Sequence, residues 1–287
     1  MLSENLLEFI IYPLPTKNQA FGAFFPFFIR FSHTFYKHTR FLSLFVLTLC
    51  ALYVKIYLLL KVGFMKNKLL SILYGVAIFF FIISFSIGLP IYCRFFYYLH
   101  INALNLPSLT GYDYWTIKSA YDEVLNFLTL PGAQFGTGVF GYTEAGKAHF
   151  VDCKALFDLN LIALISSTAI IGTLHVLKRK KIFLPSKPFG MGVSFISAVS
   201  IFAVALVLVG LISIDFNSAF IVFHKIFFPG KDNWQFSYAD EIIKVLPQEF
   251  FMNCAILIGA SIVLISSGII IYQLVKRKKS AKITPKS

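Results

Sequence analysis

Residues 69–93 read LLSILYGVAIFFFIISFSIGLPIYC, a stretch without one charged side chain. An α-helix needs roughly 20 residues to cross about 30 Å of hydrocarbon, and this run is longer than that. Residues 190–214 and 250–275 are equally free of charge, and 156–177 holds only Asp158 near one end and His175 near the other. A β-barrel would show short segments of strict alternation instead. The expected fold class is an all-α integral membrane protein, a bundle of four transmembrane helices with two helical extracytoplasmic loops.

Composition agrees. Hydrophobic residues make up 57% of the chain and charged residues only 14%, where a soluble globular domain carries roughly a quarter charged. The formal net charge of +13 does not point to nucleic acid, because the basic residues are clustered and not interleaved with exposed aromatics on one face. Lys66 and Lys68 precede the first apolar run. Lys178, Arg179, Lys180, Lys181 and Lys187 separate the second from the third, and Lys276 to Lys279, Lys282 and Lys286 include three lysines and an arginine directly after the fourth. With both ends of the four-helix unit inside, all three clusters fall on the cytoplasmic side, as the positive-inside rule requires. The long loops, 94–155 and 215–249, then lie outside.

Residues 1–64 do not fit this plan. The stretch 41–62 is long enough to span but carries Lys55 near its middle, which costs about 3 kcal/mol. It would also place Arg30, Lys37 and Arg40 outside, against the charge rule. Met65-Lys66-Asn67-Lys68 ahead of an apolar run reads as a natural start, so 1–64 is expected to be an upstream extension, the rival being a fifth span. The four-helix membrane domain is 65–287.

In the first outer loop, Arg94-Phe95-Phe96-Tyr97-Tyr98 is an aromatic and basic cluster suited to headgroup depth. From Trp115 the spacing of Ile117, Tyr121, Val124 or Leu125 and Leu128 predicts an amphipathic helix, with Lys118, Asp122 and Asn126 on its other face. Pro131-Gly132 and Gly136, Gly138 and Gly141 break it. A second helix is expected from about Thr143-Glu144 directly into the second span. In the second loop a turn at residues 230–234 should precede a short helix over 238–246, ended by Pro247.

His149, Asp152 and Cys153 share a face of the helix entering the second span, so a carboxylate one turn from an imidazole can orient its ring. His224 lies in the second loop among phenylalanines. Of the other histidines, His33 and His38 lie in the extension, His175 at the inner end of a span, and His100 in an aromatic segment. Trp234 reads as part of an interfacial belt more readily than as a pocket wall. Zinc on the two histidines with Glu144 and Asp152 would match no known ligand spacing. The cysteines form no C-x-x-C, although Cys93 and Cys153 both fall at the outer face, where a disulfide is open to them. No nucleophile elbow, phosphate-binding loop, H-E-x-x-H or dinucleotide fingerprint is present. A transporter is disfavoured, since the spans contain almost no ionisable residues and no inverted repeat.

Several motifs occur in one order: Asn126-Phe127-Leu128, Thr143-Glu144-x-Gly146-x-x-His149-Phe150-x-Asp152-x-Lys154-x-Leu156-Phe157, Phe223-His224-x-x-Phe227-Phe228, Asn233-Trp234-x-Phe236, and Ile242-Ile243-x-x-x-Pro247-x-x-Phe250-Phe251. This pattern resembles the lipoprotein intramolecular transacylase family of small four-span membrane proteins of Gram-positive bacteria. The resemblance covers residues 65 to about 276. It implies a plasma-membrane acyltransferase acting on diacylated lipoproteins in the membrane, moving the sn-2 acyl chain of the diacylglyceryl-cysteine to that cysteine's own α-amine. The product is an N-acyl lyso-lipoprotein, and neither cofactor nor nucleic acid is involved. The family's histidine pair falls on His149 and His224. Supporting roles fall on Asp152 as orienter, on Lys154 or Lys225 as charge neutralisers, and on Glu144 and Trp234 in the same motifs. Cys153 stands where relatives often carry valine, and Ala120 where many carry asparagine. The alternative reading is a non-catalytic membrane partner or assembly factor, with the histidines only tying the two loops together.

Overall fold

The computed structural model of the protein describes residues 67–283, so the extension or fifth span expected over 1–64 lies outside the described residues. Four helices there are long and apolar enough to cross a membrane: α1, Asn67–Tyr92; α5, Glu144–Arg179; α6, Val193–Ile214; and α8, Gln248–Ile283. Between them lie α2, Arg94–Ala103; α3, Leu106–Thr110; α4, Tyr114–Thr129; and α7, Phe216–Phe227. The chain is a multi-pass, all-helical membrane protein, as the uncharged runs require.

The bundle is built for lipid. α1 packs against α5, α6 and α8, and α6 against α8, around Ile78, Ile82, Ile201, Ala205 and Ile262. Its outward surface is also apolar: Val204, Leu206, Val207, Leu208 and Leu211 of α6 are exposed, which only a hydrocarbon solvent tolerates. Contact between spans relies on small and hydroxyl side chains, since apolar burial contributes little inside lipid. The Ser197 hydroxyl donates to the Gly75 carbonyl at 2.7 Å, and the Asn160 amide donates to the Ser84 carbonyl at 3.2 Å.

A second core lies beyond one end of this bundle. The α4 positions picked out by helical spacing, Ile117, Tyr121, Val124, Leu125 and Leu128, are all buried, with Tyr97, Ile101, Phe150, Ile242, Val245 and Phe250. Asp113 caps α4 by accepting the Thr116 N–H at 2.8 Å. The opposite face is tied down as well. Asp122 accepts from Arg94 at 2.9 Å, from the Tyr98 hydroxyl at 2.6 Å and from Lys118 at 2.8 Å. The Tyr97 and Tyr121 rings stack at 3.6 Å, and the Tyr97 hydroxyl donates to the Val245 carbonyl at 2.6 Å, which joins the two long loops.

One local expectation changes, and two open points are decided. The helix expected over 238–246 is only a 3-10 turn, Glu241–Val245, because the Asp240 carboxylate takes up the chain before it. The start of the second loop, which carried no helical expectation, forms α7, capped by Asp215 accepting from the Ser218 N–H at 3.1 Å. Cys93 and Cys153 are free thiols, as is Cys254, so no disulfide joins the first loop to α5.

Candidate functional site

α5 is 36 residues long, well beyond the roughly 20 that a span needs. Its first three turns therefore project past the apolar stretch that begins at Leu156, and His149 sits on that projecting part. Thr143 starts the helix, its hydroxyl accepting the Gly146 N–H at 3.0 Å. α7 brings His224 to the same place. The two imidazoles lie 5.6 Å apart between ring centres, and both are buried, at 5% and 6% exposure.

An aromatic cage holds them. Trp234 stacks on the His224 ring at 4.7 Å and Phe220 lies at 4.3 Å. Phe228 meets His149 edge-on at 4.9 Å, and Phe236 does so at 5.6 Å. The Trp234 indole N–H donates to the Lys231 carbonyl at 3.0 Å, so this residue packs into the site and fixes the turn at the same time.

The polar contacts set the proton state. His224 Nδ1 faces the Phe220 carbonyl at 2.7 Å; a carbonyl only accepts, so Nδ1 carries the hydrogen and Nε2 keeps its lone pair. His149 Nε2 lies 3.4 Å from Cys153 Sγ, while its Nδ1 is buried without a hydrogen-bond partner, a cost of about 1–3 kcal/mol. Burial pushes the His149 ring down to about 4, helped by the nearby His224. Burial also lowers His224, partly opposed by its bond to Phe220. Both rings are neutral near pH 7. Burial, then the Asp152 charge, pushes the Cys153 thiol up to about 12, so it is no thiolate nucleophile.

The remaining expected residues scatter. Asp152 does not hold His149: it accepts from Lys231 at 2.5 Å and from Asn233 at 3.0 Å, clamping the 230–234 turn onto α5. Burial raises its carboxyl, but those bonds outweigh it and hold the group below its usual range. Lys154 donates to the Phe127 carbonyl at 2.7 Å and to Leu130 at 3.4 Å; it is a C-terminal cap for α4. Glu144 is exposed and faces Lys147 at 3.5 Å. Lys225 is exposed and lines a surface groove with Trp234. No cluster of three or more metal-ligating side chains occurs among the described residues.

The residue that sequence reasoning missed is Asp240. Buried at 2% exposure, it accepts from the Thr143 N–H and hydroxyl at 2.6 and 2.8 Å and from the Ser237 N–H and hydroxyl at 2.9 Å each. It thereby joins the N-cap of the His149 helix to the second loop. Its only signal was Ser237-Tyr238-Ala239-Asp240, a hydroxyl and a carboxylate at turn spacing.

The arrangement compares directly with known proteins. In meso structures of the membrane integral lipoprotein intramolecular transacylase Lit from Bacillus cereus share the fold. One is 24% identical over 74% of this chain and 98% of that one, with a TM-score of 0.65. A variant of it with one histidine replaced by alanine is 26% identical over 80% of this chain and 99% of that one, with a TM-score of 0.57. Comparison with curated proteins finds no match. The family model for lipoprotein intramolecular transacylase Lit matches residues 72–251, which is more than half of the chain and takes in both histidines. The chain belongs to the lipoprotein intramolecular transacylase Lit family.

Proposed function

We propose that the protein performs intramolecular acyl transfer on diacylated lipoproteins, with His149 and His224 as its catalytic pair. The observation that carries this reading is the convergence of two buried, neutral imidazoles from separate outer segments to 5.6 Å. In the reaction the α-amine of the modified cysteine attacks the sn-2 ester carbonyl. A C–N bond forms, the bond from the acyl carbon to the glyceryl oxygen breaks, and the amine proton ends on that oxygen. Ester to amide is downhill, so no nucleotide is needed.

His224 is assigned to the proton. Its Nδ1–H is spent on the Phe220 carbonyl, which leaves Nε2 basic, able to take the ammonium or amine proton and return it to the leaving alkoxide. His149 has hydrogen-bonding capacity unspent at Nδ1 and is assigned to the oxyanion of the tetrahedral intermediate. Nucleophile and electrophile share one molecule, so proximity supplies much of the rate and no acyl-enzyme is required. The basic clusters at the far ends of α5 and α8 support an orientation with both termini of 65–287 inside and the histidines at outer headgroup depth. That is where the modified cysteine of a lipoprotein lies.

The test is made in a strain lacking other lipoprotein N-acyltransferases. Mass spectrometry of the N-terminal tryptic peptide of an abundant lipoprotein should show the N-acyl lyso-form when the full chain is expressed. His149→Ala and His224→Ala should each lower it by about 10²-fold or more, with the protein still in the membrane. Persistence of only the diacylglyceryl form with the unsubstituted chain would overturn the reading.

A further inference from the structure

Beside the histidines, along Trp234, runs a groove of about 480 Å³ lined by Asn217, Phe220, Ile221, Lys225, Trp234, Gln235 and Gln248. A second hollow of about 300 Å³ shares Lys225, Trp234 and Gln235 with it, so the two form one track past the indole. Two of the lining rings, Phe220 and Trp234, are the same rings that lie 4.3 and 4.7 Å from His224. The groove and the catalytic imidazole are therefore separated by a single layer of aromatic side chains.

We infer that this groove is the subsite for the peptide backbone that follows the modified cysteine, bound through the side-chain amides of Asn217, Gln235 and Gln248; the inference rests on the transacylase reading. Three carboxamides in one groove are an unusual lining for a lipid chain, which would select apolar walls. They suit a peptide, because each carboxamide presents one carbonyl acceptor and N–H donors, the complement of a peptide group. All three residues are exposed, and almost none of their capacity is taken up within the protein. Gln248 Nε2 reaches Asn217 Oδ1 only at 3.5 Å, at the limit of a hydrogen bond. Such recognition reads the main chain and ignores side chains, as an enzyme acting on many lipoproteins of different sequence requires. The Lys225 ammonium at the junction of the two hollows adds a further donor for a carbonyl.

The test compares two synthetic S-(2,3-diacylglyceryl) substrates with the full chain in phospholipid vesicles: one with five residues after the cysteine, the other the cysteine amide alone. Removing the peptide should lower kcat/KM of the unsubstituted protein about tenfold, the worth of two net hydrogen bonds. In an Asn217→Ala, Gln248→Ala double variant that ratio should shrink to about twofold, while turnover of the cysteine amide stays at the unsubstituted rate. Equal kcat/KM for both substrates in the unsubstituted protein would overturn the subsite, and so would a variant that keeps the full ratio. A variant that loses both substrates equally also counts against it, since peptide binding cannot move the cysteine amide. No turnover of either substrate by the unsubstituted protein would instead remove the transacylase reading itself.

Discussion

The Asp240 carboxylate rests directly against the α-carbon of Gly146, leaving no room there for a Cβ. Gly146 is three residues ahead of His149 on α5, so the glycine lets the second loop close onto the helix that carries the first histidine. Gly146→Ala should displace Asp240 from its bonds to Thr143 and Ser237. The expected cost is about 1–3 kcal/mol, read as a lower thermal midpoint in detergent, with N-acylation falling in parallel. An unchanged midpoint would show that the loops are not joined through this contact.

Asp240 also sets an acid limit. Burial raises its carboxyl, but the bonds from Thr143 and Ser237 prevail and hold it below its ordinary value. A carboxyl depressed in the folded state contributes stability that is complete above its unfolded value of about 4 and is lost as pH falls through the folded value. Thermal midpoints should therefore drop below about pH 4. Asp240→Asn should be less stable near pH 7 and show a shallower acid drop.

His149 titrates with the same sign at higher pH. Its folded value is about 4 against about 6.5 unfolded, so the unfolded chain takes up a proton first as pH falls from about 6.5 towards 4. Stability should decline across that window by no more than about 3 kcal/mol, and His149→Gln should remove most of the decline. Catalysis should show no loss between pH 8 and 7 from protonation of either histidine, since burial holds both below the ordinary value of 6.5. Any loss there should follow the substrate α-amine, with a pKa of about 8. Initial rates on an S-diacylglyceryl peptide across that range separate the two.

Asp152 spends its hydrogen bonds on the turn that carries Trp234, not on the imidazole. Asp152→Ala and Lys231→Ala should each reduce N-acylation by a similar factor, about threefold to tenfold. The double variant should be no worse than either alone, since neighbours in one ion pair are not additive. If Asp152→Ala were a hundredfold worse than Lys231→Ala, the carboxylate would have to act on His149 after all.

Cys153→Val adds only about a methyl group of volume and removes a thiol that burial pushes up to about 12, which disfavours it as nucleophile. It should cost less than about 1.5 kcal/mol and leave N-acylation within about threefold by peptide mass spectrometry. A loss of a hundredfold would place the sulfur in the chemistry.

Sequence alone determined the four spans and the buried face of α4, because hydrocarbon solvent and a 3.6-residue period leave a mark at every turn. The two histidines were visible only through motifs shared with a family; no spacing rule links residue 149 to residue 224. The tertiary structure decided their meeting, the stacking of Trp234, the transfer of Asp152 to Lys231 and of Lys154 to the end of α4, and the place of Asp240. These are contacts between segments up to about a hundred residues apart. A carboxylate or lysine in sequence carries only its charge. Which partners it takes is settled by the few donors or acceptors that the folded chain brings within reach.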